Sequence, residues 1–234
     1  MANEPQEPPP PPVIGIATTG ELVTIFVGPE KKRYNIHKDI ICHHSEYFRA
    51  AYNGRWKEAD EGVILEDVEV EVFNIFVHWL YTQQLPSGDL ADIAYANNIE
   101  KYPNADYLYG GGQLRACAFA NRFLVAELER IAHNNYIDFV WYTTAPRYED
   151  VYFVYENLPG HTLIQDLLVK LQYEWWHPGQ DSPQEEATRL DLPKEFLVGF
   201  MLRHAEVRAQ GGGTDWDNKQ EEFYMQKRTE KVSE

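Results

Sequence analysis

Four side chains that could do chemistry lie close together near the start of the sequence, in the stretch YNIHKDIICHHSEYFRAAY at residues 34–52. His37, Cys42, His43 and His44 supply the imidazole and thiol groups that bind zinc or transfer protons in enzymes. The stretch is therefore a candidate metal or catalytic site, and the alternative is that it belongs to the framework of the fold.

The spacing of these groups favours a structural role over a metal or catalytic site. A structural zinc site needs four ligands, commonly in two close pairs, and the only other cysteine, Cys117, lies far along the chain. On a helix, adjacent side chains such as His43 and His44 point about 100° apart, so they do not readily share one ion. We interpret Cys42 and His44 as packed structural residues.

Other chemical motifs are also missing from the sequence. No serine lies in a G-x-S-x-G elbow, and the glycine runs at 110–112 and 211–213 lack the residues of a phosphate loop, so we interpret both runs as linkers. The sequence predicts no catalytic, cofactor-binding or metal-binding residue and no cofactor, and therefore a protein that is not an enzyme. A metal-dependent enzyme that uses the histidines remains the lowest alternative.

Composition narrows the possible partners. The net charge of −16 would repel nucleic acid and anionic membranes, and no apolar run approaches the roughly 20 residues of a membrane helix. Two cysteines and the absence of an apolar leader indicate an intracellular protein, cytoplasmic or nuclear. Proteins are the expected partners.

The elements that hold the opening stretch follow from its periodicity. The segment ELVTIFVG alternates like a strand, Gly28-Pro29 marks a turn, and KRYNIH forms a second strand, so a β-hairpin is predicted. Apolar residues then recur at helical spacing, with Ser45 as a cap between two short helices and with Tyr47 and Phe48 toward the core.

Further along the chain, GVILEDV at 62–68 predicts a strand, and the apolar face of Val72–Leu80 predicts a helix. After a polar break at 83–112, a helix pair bends near Val125, and three helical segments follow. The predicted parts are a disordered Pro-rich tail at 1–18, an α/β domain at 19–140, a helical extension at 141–210 and a polar, disordered tail at 211–234.

This order of elements resembles the BTB/POZ domain, an α+β fold with a small sheet flanked by a helical cluster, over about Glu21–Val140. The resemblance rests on a strand, a small apolar residue before His-Lys, an apolar pair, Ser-x-x-Phe, a Phe-containing helix and Tyr-Thr. The matching residues are Ile36, His37, Lys38, Ile40, Ile41, Ser45, Phe48, Phe73 and Tyr81-Thr82. The downstream segment is similar to the helical extension that follows BTB domains in many filamentous-fungal proteins.

The resemblance implies a protein–protein interaction module that self-associates and acts as a scaffold or adaptor. Some BTB domains recruit a cullin scaffold of ubiquitin ligases, and Phe123 falls where those domains carry an aromatic residue. Their apolar-x-acidic motif is replaced here by Gly112-Gln113-Leu114, a departure that counts against cullin binding. Independently of the family, Trp and Tyr are favoured interface anchors, and the exposed candidates are Tyr52, Trp56, Tyr107 and Tyr109, with inward packing of some of them as the alternative.

Overall fold

In the computed structural model of the chain, the described residues are 12–53, 62–86, 105–142, 145–158, 160, 162–211 and 219–227. Side chains are described from residue 111 onward in the third of these ranges. The chain divides into two compact units. The first unit comprises residues 1–98 and 119–128, and the second comprises 99–118 and 129–234.

The first unit contains a three-stranded sheet in the order β2-β1-β3. Its strands are β1 (Leu22–Val27), β2 (Lys32–His37) and β3 (Val63–Leu65). β1 pairs antiparallel with β2 and parallel with β3, and a parallel pair requires a crossover connection. The helices α2 (Lys38–His44) and α3 (Glu46–Ala51) lie in that connection.

The hairpin and the two short helices confirm the sequence prediction. Val23, Ile25 and Val27 are buried along β1, as the alternation predicts. Gly62 precedes β3 with φ of +91°, and a Cβ there would lie 2.8 Å from the carbonyl oxygen of Thr24. Only glycine fits at this point, because both the backbone angle and the available space exclude a side chain.

Two further helices lie entirely within the first unit. The helix α4 (Val70–Thr82) buries Val72, Phe73, Ile75, Phe76, Trp79 and Leu80. The helix α1 (Ile14–Ala17) precedes the sheet and buries Ala17. This helix lies in the segment predicted as a disordered tail at 1–18, so the structure differs from that prediction at its last residues.

The predicted bend near Val125 separates α5 (Ala105–Arg122) from α6 (Ala126–Trp141). The predicted polar break at 83–112 is too long, because α5 already includes residues 105–112. The interpretation of Gly110-Gly111-Gly112 as a linker is therefore wrong. Gly111 and Gly112 are buried within the helix, and glycine is tolerated there because the tertiary packing outweighs its weak helix propensity.

The second unit is helical in its described residues. It contains α7 (Tyr148–Asn157), α8 (Thr162–Trp175), α9 (Pro183–Thr188) and α10 (Lys194–Ala209), and 3-10 turns at Arg189–Asp191 and Gln220–Phe223. The three helical segments predicted downstream are confirmed as α7, α8 and α10. The turn at Gln220–Phe223 lies within the segment predicted as a disordered tail, so the structure differs there as well. Within the described ranges, no helix is long and apolar enough to span a membrane.

Candidate protein-interaction site

Ser45 is the residue that ties the opening stretch together. Its Oγ accepts a hydrogen bond from the backbone N–H of Phe48 at 3.1 Å, so it caps α3 as predicted. The same Oγ donates to the carbonyl oxygen of Phe123 at 2.7 Å, in the break between α5 and α6. Because Ser45 is fully buried, both bonds form away from water.

The His-Lys pair of the stretch also makes internal contacts. His37 Nδ1 lies 2.8 Å from the hydroxyl of Tyr81, and that hydroxyl accepts from the backbone N–H of His37 at 3.2 Å. The Lys38 ammonium lies 2.9 Å from a carboxylate oxygen of Glu21. The residues that identify the fold therefore bond to other parts of the first unit and serve its framework.

An aromatic cluster forms the core beside Ser45. The Phe48 ring stacks on Phe123 and Phe76, with centroid distances of 5.7 and 6.1 Å, and Phe119 lies 4.5 Å from Phe123. The prediction that Tyr47 faces the core holds only in part, because its side chain is 37% exposed although its ring contacts Phe123. Tyr47 lies at the edge of the buried face of α3, since consecutive helical residues point about 100° apart.

The remaining groups of the opening stretch are packed side chains. Burial lowers the pKa of His44 to about 4, with a contribution from His43, and the His44 ring lies 5.2 Å from Trp79. Burial raises the pKa of the Cys42 thiol to about 11, which keeps it protonated and poorly nucleophilic at neutral pH. Among the described residues, no group of three His, Cys, Asp or Glu side chains is placed to hold a metal ion.

The aromatic residues predicted as exposed interface anchors are only partly described. Tyr52 is buried, and its hydroxyl donates to the carbonyl oxygen of Thr24 at 2.9 Å, so for this residue the alternative of inward packing holds and it is not an exposed anchor. It packs inward because the end of α3 turns its ring toward Phe48. Trp56 lies outside the described residues, as do the side chains of Tyr107 and Tyr109.

The two positions named for cullin binding are both internal. Leu114 is completely buried, and Phe123 is 2% exposed within the aromatic cluster. Gln113, between Leu114 and the glycine run, is half-buried in α5. A direct partner contact through Leu114 or Phe123 would require the helices around them to open.

Exposed aliphatic side chains lie elsewhere in the first unit, on α1 and the residue before it. Val13 is 65% exposed, Ile14 48% and Ile16 71%, whereas Ala17 on the same helix is buried. Sequence reasoning missed these residues because it assigned them to the tail. The signal was present in the sequence, since the apolar run VIGIA directly follows the prolines.

The second unit has its own exposed apolar face, on α10. Leu197 is 37% exposed, Val198 44%, Met201 69% and Leu202 59%. These residues recur at helical spacing and form one stripe. Each unit therefore presents an apolar helix surface of the kind that protein partners cover.

Comparison with known proteins agrees with the geometry of the first unit. Residues 17–105 match the BTB/POZ domain family. The chain is 32% identical over 71 residues to BTB/POZ and MATH domain-containing protein 6 of Arabidopsis thaliana. The aligned region covers 30% of this chain and only 16% of the length of that relative.

The matched region begins before β1 and includes the residues of the signature, from His37 and Lys38 through Ser45 and Phe48 to Tyr81. The mixed α/β architecture of the first unit, with its small sheet and surrounding helices, is the fold that the resemblance implies. The likeness of the downstream helices to fungal extensions and the domain limit at 140 stay predictions. The chain carries a BTB/POZ domain, a member of a family of protein-interaction modules, over residues 17–105.

Proposed function

We propose that this chain self-associates through its BTB/POZ domain and acts as a scaffold or adaptor for other proteins. The observation that carries the proposal is the exposed apolar surface of Val13, Ile14 and Ile16. Burying one such side chain contributes about 1.5–3 kcal/mol, so covering all three would favour association strongly.

A second copy of the chain is the occupant that we propose for this surface. Most homo-oligomers are two-fold symmetric, and in such a dimer the same patch on each copy meets itself. An aliphatic patch satisfies this requirement, because identical apolar surfaces attract each other, whereas identical charged surfaces repel. A specific dimer should bury on the order of 1,200–2,000 Å² in total, which requires α1 together with its surroundings.

Sedimentation velocity on the full chain tests the proposal. We expect the wild type to sediment as a dimer at micromolar concentration. The dimer of the double variant Ile14→Asp/Ile16→Asp should have a dissociation constant about tenfold higher than that of the wild type, because the substitutions place charge in the apolar interface.

Met201→Asp is the control, since Met201 is 69% exposed on α10 and its replacement places a negative charge on the exposed apolar face of the second unit. It should leave the dimer intact. A monomeric wild type would contradict self-association. A dimer that is broken by Met201→Asp and kept by the α1 variant would assign self-association to the second unit and contradict its placement in the BTB/POZ domain.

The alternative of a cullin adaptor gains no support from the described residues, because Leu114 and Phe123 are buried and no acidic residue stands in the Gly112-Gln113-Leu114 motif. The metal-dependent enzyme is likewise not supported, since His37, His43 and His44 contact the framework. Binding of other proteins is the function that the exposed apolar surfaces of α1 and α10 favour.

A further inference from the structure

Residues 219–227 of the second unit lie along α6 as a peptide lies in a binding site. The side chain of Asn134 holds both backbone groups of Met225: its Oδ1 accepts from the N–H at 2.9 Å, and its Nδ2 donates to the carbonyl oxygen at 3.2 Å. Two residues earlier in the segment, the carbonyl oxygen of Phe223 accepts a hydrogen bond from His133 Nε2 at 2.8 Å. Two neighbouring side chains of one helix therefore bind the backbone of this segment.

Side chains of the segment are bound in the same place. The Phe223 ring lies 5.9 Å from Trp141, and the Lys170 ammonium lies 5.6 Å from the Phe223 ring centroid. The Tyr224 hydroxyl donates to Asp138, and Gln220 Nε2 donates to the same carboxylate at 2.8 Å. Aromatic contacts and a carboxylate thus add selectivity for side chains to the recognition of the backbone.

The segment is held mainly by these surface bonds. Phe223, Tyr224 and Met225 are half-buried, and no residue of the described segment is fully buried. Segments with few buried apolar contacts open at a small part of the global free energy of unfolding. We therefore expect the segment to leave α6 at a lower free-energy cost than unfolding of the rest of the second unit.

A cleft of about 680 Å³ adjoins the segment. Lys219, Glu222 and Phe223 form one wall, and residues of α8 and α10 such as Lys170, Leu202 and Arg203 form the others. When the segment leaves, its own groove on α6 joins this cleft. Because residues 219–227 already lie on the α6 part of this surface, it accommodates a peptide rather than only a single side chain.

We propose that His133, Asn134, Asp138, Trp141 and Lys170 form a binding site for a short peptide segment of a partner protein. The peptide carries an aromatic residue followed directly by a tyrosine, as Phe223 and Tyr224 do here. Residues 219–227 occupy this site in the same chain and compete with the partner. The site lies wholly in the second unit, so it goes beyond self-association and does not depend on it.

Fluorescence anisotropy on the full chain tests this site, with a labelled peptide of residues 219–227, KQEEFYMQK, as the probe. The variant Phe223→Ala/Met225→Ala weakens the competing segment and leaves the groove intact. We expect this variant to bind the peptide at least about tenfold more tightly than the wild type, because the intramolecular competitor has been weakened.

A second pair of variants in that background locates the binding site. Asn134→Leu removes both bonds to the peptide backbone and should weaken peptide binding about tenfold or more. Asn135→Leu is the matched control, because Asn135 is exposed on the same helix and its side chain donates to the Ile131 carbonyl oxygen instead. This control should bind the peptide as its parent does.

Far-UV circular dichroism confirms that each variant keeps its helices before binding is measured. The proposal is overturned if the folded Phe223→Ala/Met225→Ala variant shows no saturable binding of the peptide. Equal binding by the Asn134→Leu and Asn135→Leu variants also overturns it, since the peptide would then bind elsewhere.

Discussion

The two units of this chain bond their elements together through different polar groups: hydroxyl and imidazole groups in the first unit and a carboxylate in the second. In the first unit, Ser45 and the pair of His37 and Tyr81 bond internal elements to one another. In the second unit, Asp181 accepts hydrogen bonds from Tyr148, Trp176 and Arg189 and so fixes the loop before α9. The signature residues Ser45, His37 and Tyr81 of the BTB/POZ domain therefore stabilise its framework.

The largest difference in stability between the two units is expected when one buried phenylalanine of each is replaced by alanine. Phe48 contacts the rings of Tyr47, Tyr52, Phe76 and Phe123, whereas the described ring contact of Phe196 in α10 is with Tyr155. Phe→Ala in a core costs about 3–5 kcal/mol, and aromatic pairs add about 0.5–1.5 kcal/mol each. We therefore expect Phe48→Ala to lower the free energy of unfolding by about 5 kcal/mol and Phe196→Ala by about 3 kcal/mol.

Urea unfolding measures both variants, and hydrogen exchange assigns each loss to its unit. Both side chains are at most 1% exposed, so the comparison isolates what surrounds them rather than how much area they bury. Equal losses would contradict the view that the aromatic cluster adds stability beyond burial.

A smaller difference in stability is expected when two serines that cap helices in the same way, one in each unit, are replaced by alanine. Ser45 caps α3 and is fully buried, whereas Ser182 caps α9 in a capping box with Glu185 and is half-buried. Ser45→Ala leaves the Phe48 N–H and the Phe123 carbonyl without their partner in the core and should cost about 2–3 kcal/mol. Ser182→Ala should cost about 1 kcal/mol, because water can replace the lost bond.

Thermal unfolding of the two alanine variants checks this order, with Ser45→Cys as a further variant that keeps the approximate volume. If Ser45→Ala lowered the unfolding temperature no more than Ser182→Ala does, the buried hydrogen bond from Ser45 to Phe123 would not stabilise the first unit.

The smallest effect is an opposite response of the two units to acid. Burial lowers the pKa of His44 to about 4, while burial raises the pKa of Asp150 to about 6 against the opposing charges of Arg147 and Arg115. Between pH 6.5 and 4 the unfolded chain protonates His44 but the folded chain does not, so the first unit loses stability as pH falls. Between pH 6 and 4 the folded chain protonates Asp150 but the unfolded chain does not, so the second unit gains stability.

Hydrogen exchange at pH 6.5 and 4.5, corrected for the intrinsic rate, measures each unit separately. We expect the free energy of unfolding of each unit to change by about 1–2 kcal/mol between these pH values, after allowing for partial solvent exposure. His44→Gln should flatten the response of the first unit, and Asp150→Asn should flatten that of the second. A response of the same sign in both units would show that other groups dominate.

The elements that the sequence predicted well depend on local patterns. Alternation in β1, the helical spacing of α4 and the Ser45 cap are set by residues within one or two turns of each other. Predictions failed or left alternatives open where distant contacts decide. Gly111 and Gly112 are helical because the surrounding core holds them, and Tyr52 is buried because the Thr24 carbonyl accepts its hydroxyl.

By itself, the sequence determined the order of the three strands and of the long apolar helices, as well as the BTB/POZ signature, because both depend on periodicity and residue type at fixed spacing. Only the tertiary structure decided which side chains remain at the surface. It placed Tyr52, Leu114 and Phe123 inside and left α1 exposed, and it laid residues 219–227 along α6. Burial depends on partners distant in sequence, and a local pattern does not specify them.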